Sequence, residues 1–213
     1  MSLKAVQTSG LMQAYLYQLK NHELRTKAIT AGVLGFLQEV LARHLAGVPN
    51  RKLPPSSGPL EQLFVASKIN VKAFKMALFG FLVSAPLGHA MVKTMHKFFA
   101  GRTGPSAKLG MLAASLLVIA PIQISVFLAN SAVVEGARTK DAVLRVVKRG
   151  FAPVLGVTWI TSPTAIVFAQ TFLPPEFEVP FFNLVQFCTG LFFNTAATKA
   201  ALAAQKRKET KKD

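Results

Sequence analysis

Apolar residues in this chain fall into a series of long runs, each bounded by basic residues or loop-forming residues. The first periodic stretch is short. Leu11, Met12, Tyr15, Leu16 and Leu19 recur at helical spacing with Gln13, Gln18 and Lys20 opposite, which predicts an amphipathic helix lying at an interface within residues 1–25. Residues 26–46 form the first run long enough to cross a bilayer, since about 20 residues at about 1.5 Å each span the hydrocarbon core. One stripe of this run is Ala28, Gly32, Gly35, Glu39, Ala42 and Ala46, all tiny except Glu39. The remaining surface carries Val33, Leu34, Phe36, Leu37, Val40 and Leu41. In lipid, helices associate through close backbone approach rather than a hydrophobic drive. The small stripe is therefore expected to face other helices, with Gln38 and Glu39 pointing toward or beside the protein interior.

The same logic marks three further spans. Residues 72–92 carry the small stripe Ala73, Ala77, Gly80, Ser84 and Gly88, with Pro86 expected to kink the helix. Residues 109–134 contain Pro121 as an interruption and Gln123 and Asn130 as polar members. Residues 179–202 carry the stripe Asn183, Gln186, Gly190, Asn194, Ala197 and Ala201. The apolar segment 151–173 is broken by Pro153, Gly156 and Pro163. The pattern leaves it open between a kinked fifth span and a half-inserted segment with Trp159 at head-group level. Between the runs lie a proline-rich loop at 47–68, an acid-free loop at 93–108, and an interfacial connector at 135–150. The expected fold is an all-α integral membrane helical bundle (residues 26–202) with four transmembrane helices. An amphipathic segment (1–25) precedes it and a basic tail (203–213) follows it.

Composition sharpens this picture. Of 213 residues 51% are apolar and only 16% charged, and the charge is lopsided at 25 Lys+Arg against 9 Asp+Glu, a net +16. Soluble domains usually carry about a quarter charged residues. A basic excess favours a polyanion, and its placement decides which. The basic residues sit at the ends of apolar runs, while zinc, helix-turn-helix and RNA-binding signatures are absent, so the lipid bilayer is the expected partner and nucleic acid is not. The single cysteine, Cys188, allows no intrachain disulfide, and no Cys/His metal cluster or cofactor motif is present. The start of the chain lacks a secretory signal pattern. With two aspartates, no Gly-x-Ser-x-Gly and no phosphate loop, no enzyme is expected. With four spans both termini share one side, and the basic counts of the two sides, 14 and 11, slightly favour cytosolic termini.

Candidate chemistry is confined to polar groups within the runs. Glu39 is an ionisable group among apolar neighbours, a functional hypothesis by default. Its plainer reading is an i,i+4 pair with Arg43 at the interface. His89, after Pro86, can donate to carbonyls freed by the kink, line a path or respond to pH. Gln123, Asn130, Gln170, Asn183, Gln186 and Asn194 can each bond between helices, and as a set with Gln38 they can line an interior path.

These positions also carry a family likeness. Tyr15-Leu16-Tyr17-Gln18-Leu19 through Leu24, Thr26 and Ala28, running into Gly32 and Gly35, resembles the opening of the peroxisomal 22-kilodalton membrane protein family, which includes a mitochondrial inner-membrane branch. Gly80 with Ala85-Pro86-Leu87-Gly88-His89 is similar to its Gly…Gly-Pro-x-x-His signature. Ala120-Pro121 with Phe127, Trp159 with Pro163 and Phe168, Val179-Pro180, and Phe193-Asn194 follow in the family's order. Departures are Glu23 where a proline is usual, Gly110-Met111 in place of Asp-Gln, and Phe193 in place of tryptophan. Loss of the Asp-Gln pair weakens any carry-over of pore chemistry.

The resemblance implies a small multi-span protein of the peroxisomal membrane. The expected function is a pore for small solutes; the alternatives are a non-transporting organelle-membrane scaffold and a mitochondrial inner-membrane member affecting metabolite balance. It further implies recognition by the peroxisomal membrane-protein import receptor through basic stretches beside apolar helices. A path wide enough for solutes calls for loosened helices or a homo-oligomer.

Overall fold

The computed structural model describes residues 10–49, 58, 67–102 and 104–210. Six helices account for the described regular structure, and no strand occurs among the described residues. Helix α1 is Gly10–Asn21 and α2 is Glu23–Leu45. Helix α3, Val71–Phe98, comprises Val71–Phe79, a wide π-turn Gly80–Ser84, and Ala85–Phe98. Helix α4, residues 105–134, repeats that plan: Pro105–Ala114, a π-turn Ser115–Ile119, and Ala120–Val134. Helix α5 is Lys140–Phe172 and α6 is Pro175–Glu209.

The two π-turns have one cause. A proline inside a helix clashes with the carbonyl four residues back and brings no N–H. Ahead of Pro86 the Ala85 N–H reaches back five residues to Gly80, and ahead of Pro121 the Ala120 N–H reaches Ser115 in the same way. Widening the turn moves the clashing carbonyl aside without ending the helix. Pro153, Pro163 and Pro180 sit inside α5 and α6, which remain α-helical through them.

Among the described residues, three helices are long and apolar enough to cross a membrane: Val71–Phe98, Ser106–Val134 and Lys140–Ala169. The last resolves the segment 151–173. It is the second half of one 33-residue helix, continuous through Pro153, Gly156 and Pro163. Residues 135–150 are likewise not a connector. Only a short turn at 135–139 separates α4 from α5, with Gly136 at φ +103 and Thr139 Oγ1 capping the Ala142 N–H at 3.3 Å. Helices α2 and α6 have 23 and 35 residues, long enough in reach, but their glutamines, asparagines and charges dilute their apolar character.

Five helices close a ring in the order α2–α3–α4–α5–α6, with α6 packed back along α2 and only lightly against α5. Helix α1 rests on α2. Neighbours along the chain run antiparallel, as the pairs Glu39–Lys72, Lys72–Glu135 and Gly88–Gln123 require. Burial follows the membrane pattern rather than the soluble one. Among the described residues, seven of the eleven buried apolar residues are alanines, such as Ala42, Ala73 and Ala169, while Leu82, Leu117, Ile160, Val167 and Phe192 face outward. Small residues inside permit close helix approach, and large ones outside suit lipid contact. A methyl added at Gly80 would lie 2.5 Å from the Ala31 carbonyl oxygen, one at Gly35 3.0 Å from Met76 O, and one at Gly32 3.2 Å from Ala77 O. Helices α2 and α3 therefore touch backbone to backbone.

Candidate functional site: a polar cavity inside the helix ring

The ring borders a half-open cavity of about 440 Å³ to which all five of its helices contribute. No charged side chain lines it among the described residues. The polar part of its wall is Gln38 from α2, Ser84 from α3, Ser115 and Gln123 from α4, Thr158, Thr161 and Ser162 from α5, and Asn183, Gln186 and Thr189 from α6. Apolar side chains including Phe79, Phe127 and Phe193 complete it.

Each polar group is held in a defined way. Gln38 Nε2 donates to the carbonyls of Phe187 and Gln186 at 3.1 and 3.3 Å, clamping α2 to α6. Gly190 makes room for it, because a methyl there would meet Gln38 Nε2 at 2.5 Å. Asn183 Nδ2 donates to the Tyr15 hydroxyl at 3.1 Å, tying α1 to α6. Thr158, Thr161 and Thr189 turn their hydroxyls back onto the carbonyls of Val154, Val157 and Val185. That leaves their oxygens with lone pairs only. Ser115 donates to Met95 Sδ at 3.7 Å. Gln123, Gln186, Ser84 and Ser162 have no protein partner for their side chains among the described residues. Two free amides and two free hydroxyls therefore front a cavity with neutral walls.

The other polar residues named from the sequence lie elsewhere. Asn130 Nδ2 meets Met76 Sδ at 3.6 Å between α3 and α4, outside the cavity wall. Asn194 is 7% exposed and its Nδ2 has no partner. The side chain of Gln170 lies outside the described residues. His89 does not bond to the carbonyls near Pro86; its Nδ1 stands 3.7 Å from Glu23 Oε1 at the start of α2. The Glu23 carboxyl is held below its ordinary range first by the Lys27 hydrogen bond, which outweighs the opposing effect of burial, and further by the charges of Lys27, His89 and Lys93.

Glu39 is 1% exposed. Its ion-pair partner is Lys72 on α3, at 3.2 Å, rather than Arg43. The approach lacks hydrogen-bond alignment, and Lys72 instead donates to Glu135 Oε1 at 3.1 Å. Glu39, Lys72 and Glu135 thus link α2, α3 and α4 at one end of the ring. Trp159 lies mid-helix, and its Nε1–H donates to the Leu116 carbonyl at 2.9 Å.

Sequence reasoning missed Lys72, Glu135 and the α5 wall. The α5 wall had a signal: Thr158, Thr161, Ser162, Ala165 and Ala169 repeat at helical spacing as another small stripe.

Comparison with known proteins adds the relationship. The Mpv17 / PMP22 family description matches residues 132–194. The Woronin body membrane protein wscA of Aspergillus fumigatus is 42% identical over 199 residues, covering 93% of this chain and 82% of that one. The chain belongs to the Mpv17/PMP22 family. The Woronin sorting complex protein of Neurospora crassa is 41% identical over 201 residues, covering 94% of this chain and 61% of its own length. The peroxisomal membrane protein PMP22 of Arabidopsis thaliana is 28% identical over 197 residues, covering 92% and 95%. No solved structure matches. As an Mpv17/PMP22 member with three helices fit to cross a bilayer, this is a membrane protein.

Proposed function

We propose that this protein works in the membrane of peroxisomes and Woronin bodies as a component that organises or sorts that membrane. The observation that carries this reading is the pair of relatives named for the Woronin body, at 42% and 41% identity over more than nine-tenths of the chain, against 28% for the plant peroxisomal relative. The build of the molecule suits a scaffold. Tight α2–α3 contact makes a rigid body, and α6 extends past Asn194 to Glu209 with Lys199, Lys206 and Arg207 available for a partner. Those basic residues are also the proposed stretch for the peroxisomal import receptor. No catalytic role is proposed. The test is a fluorescent fusion at native expression, imaged with peroxisomal, Woronin body and mitochondrial markers, alongside a deletion strain. Co-localisation with the first two and loss of normal Woronin bodies is expected. A mitochondrial signal, or normal Woronin bodies in the deletion, would overturn the reading.

A second reading, a path for small solutes, is favoured by the cavity alone. Its uncharged wall and unpartnered amides and hydroxyls suit a small neutral polar solute, not an ion, because nothing there offsets the desolvation of a charge. Liposomes holding the purified protein should then swell faster in an iso-osmotic polyol than in a sodium salt. Equal swelling with and without protein removes the path.

A further inference from the structure

We infer that the corner between α4 and α5 is a binding site for a phosphate group, specifically that of an anionic lipid head group. A groove of about 520 Å³ opens there, lined by Ala132, Glu135, Ala137, Ala142, Val146 and two arginines, Arg145 and Arg149. Gly136 turns the chain in the left-handed region, and the Ala137 N–H returns to the Ala132 carbonyl at 2.9 Å, so α5 leaves close beside α4. Arg145 and Arg149 stand one helical turn apart on the same face, a spacing that lets both reach one ligand.

Charge decides the ligand. Neither arginine has an ion-pair or hydrogen-bond partner among the described residues. The one acid of the groove, Glu135, is engaged by Lys72 at 3.1 Å and so does not neutralise them. Two unpaired guanidiniums with a small apolar floor match a phosphate, whose oxygens accept forked N–H pairs. The surroundings select the lipid source. The site lies where two helices fit to cross a membrane meet at their ends, and Val133 and Leu144 beside it are 57% and 49% exposed. Acyl chains would cover that apolar surface, and basic pockets between helices at a membrane face hold anionic head groups in this manner.

Native mass spectrometry of the full-length protein from mixed micelles of phosphatidylinositol and phosphatidylcholine tests the site. The expected result is preferential retention of phosphatidylinositol, falling about thirtyfold in R145Q/R149Q, as expected for loss of two cationic contacts near a phosphate. K93Q/K97Q, which removes two cations at the opposite end, should retain it as the unaltered protein does. Because both arginines are exposed, the double variant should fold, and unchanged helical circular dichroism checks this. If it misfolds, R145K/R149K takes its place; it keeps the charge but loses the fork, and retention should fall partway. Equal retention of the two lipids, or undiminished phosphatidylinositol on whichever Arg145/Arg149 variant folds, overturns the site. Displacement of the lipid by millimolar inorganic phosphate overturns the lipid assignment in favour of a free-anion site.

Discussion

The indole N–H of Trp159 is bonded to the carbonyl of Leu116 at 2.9 Å, and that carbonyl is one the chain itself leaves without a donor. In the π-turn of α4 the Ala120 N–H goes to Ser115. The next residue, which would serve Leu116 in the same register, is Pro121 and has no N–H. In lipid no water replaces it, so a side chain from α5 does. Trp159→Phe keeps the ring and removes the donor, and should cost about 1 kcal/mol. In a Pro121→Ala background the backbone can supply its own donor, and the same substitution should cost nearly nothing. Thermal unfolding of the four proteins in one detergent measures the coupling; equal costs in both backgrounds would refute the relay.

Helix contact through glycine gives a second expectation. Gly80→Ala places a methyl 2.5 Å from a backbone oxygen that cannot swing away, so α2 and α3 must separate. The expected cost is about 1–3 kcal/mol, the range for forced overpacking. Gly156→Ala on α5 meets nothing within 4 Å and should be neutral or mildly stabilising, because alanine favours helix. Melting temperatures that fall equally for both would contradict the contact.

The Glu39–Lys72–Glu135 link separates three variants. Lys72→Met strands Glu39 as a buried, unpaired carboxylate and should cost about 3 kcal/mol or more. Glu39→Gln leaves Lys72 its bond to Glu135 and should cost much less. The double variant should recover most of the Lys72→Met loss. Denaturation midpoints in the order Lys72→Met, double variant, Glu39→Gln from least to most stable are expected, and additivity of the single effects would dismiss the pair.

These findings show what the sequence could and could not carry. The α2 stripe was readable because Ala28, Gly32, Gly35 and Ala42 repeat on one helix, and a repeat on one helix is a local property. The cavity residues Gln38, Gln123, Asn183 and Gln186 were nameable as polar groups in apolar runs, but not that they meet while Asn130 and Asn194 do not, since that depends on the rotation of separate helices. The i,i+4 rule points Glu39 to Arg43; its true partner lies across a connection of more than twenty residues. Pro153, Gly156 and Pro163 read as breakers in α5 because local propensity knows nothing of packing. The bond partner of Trp159 could not be read from the sequence, because the need for its donor arises at Pro121 on another helix.

Acid should loosen the junction of α1 and α2. The Glu23 carboxyl is held below its ordinary range by the Lys27 hydrogen bond, so its pairing stabilises the fold above the unfolded value, 4.5, and is lost as pH falls through the lower folded value. Half exposure keeps the effect small. Proteolysis between α1 and α2 should be the same at pH 7 and pH 5.5 and rise only below about pH 4.5, a rise that Glu23→Gln should abolish. A rise between pH 7 and pH 5.5 would assign the change to another group.

Five helices in one ring alter the topology expected from four. If α2 to α6 all cross, the number is odd and the termini lie on opposite sides. The basic residues then divide 17 to 8, where the four-span count had 14 and 11. The larger share falls on the side of Arg43, Lys72, Arg145 and Lys206, and the positive-inside rule places that side in the cytosol. In a Cys188→Ala background, Gln205→Cys should react with a membrane-impermeant maleimide on intact organelles, whereas Gln13→Cys should react only after permeabilisation. Both positions are exposed, so a missing reaction reports the barrier and not burial. Labelling of both from outside would mean an even number of crossings. The ring would then hold one helix that does not traverse the bilayer, with α2 and α6 as the candidates because their polar residues dilute them most.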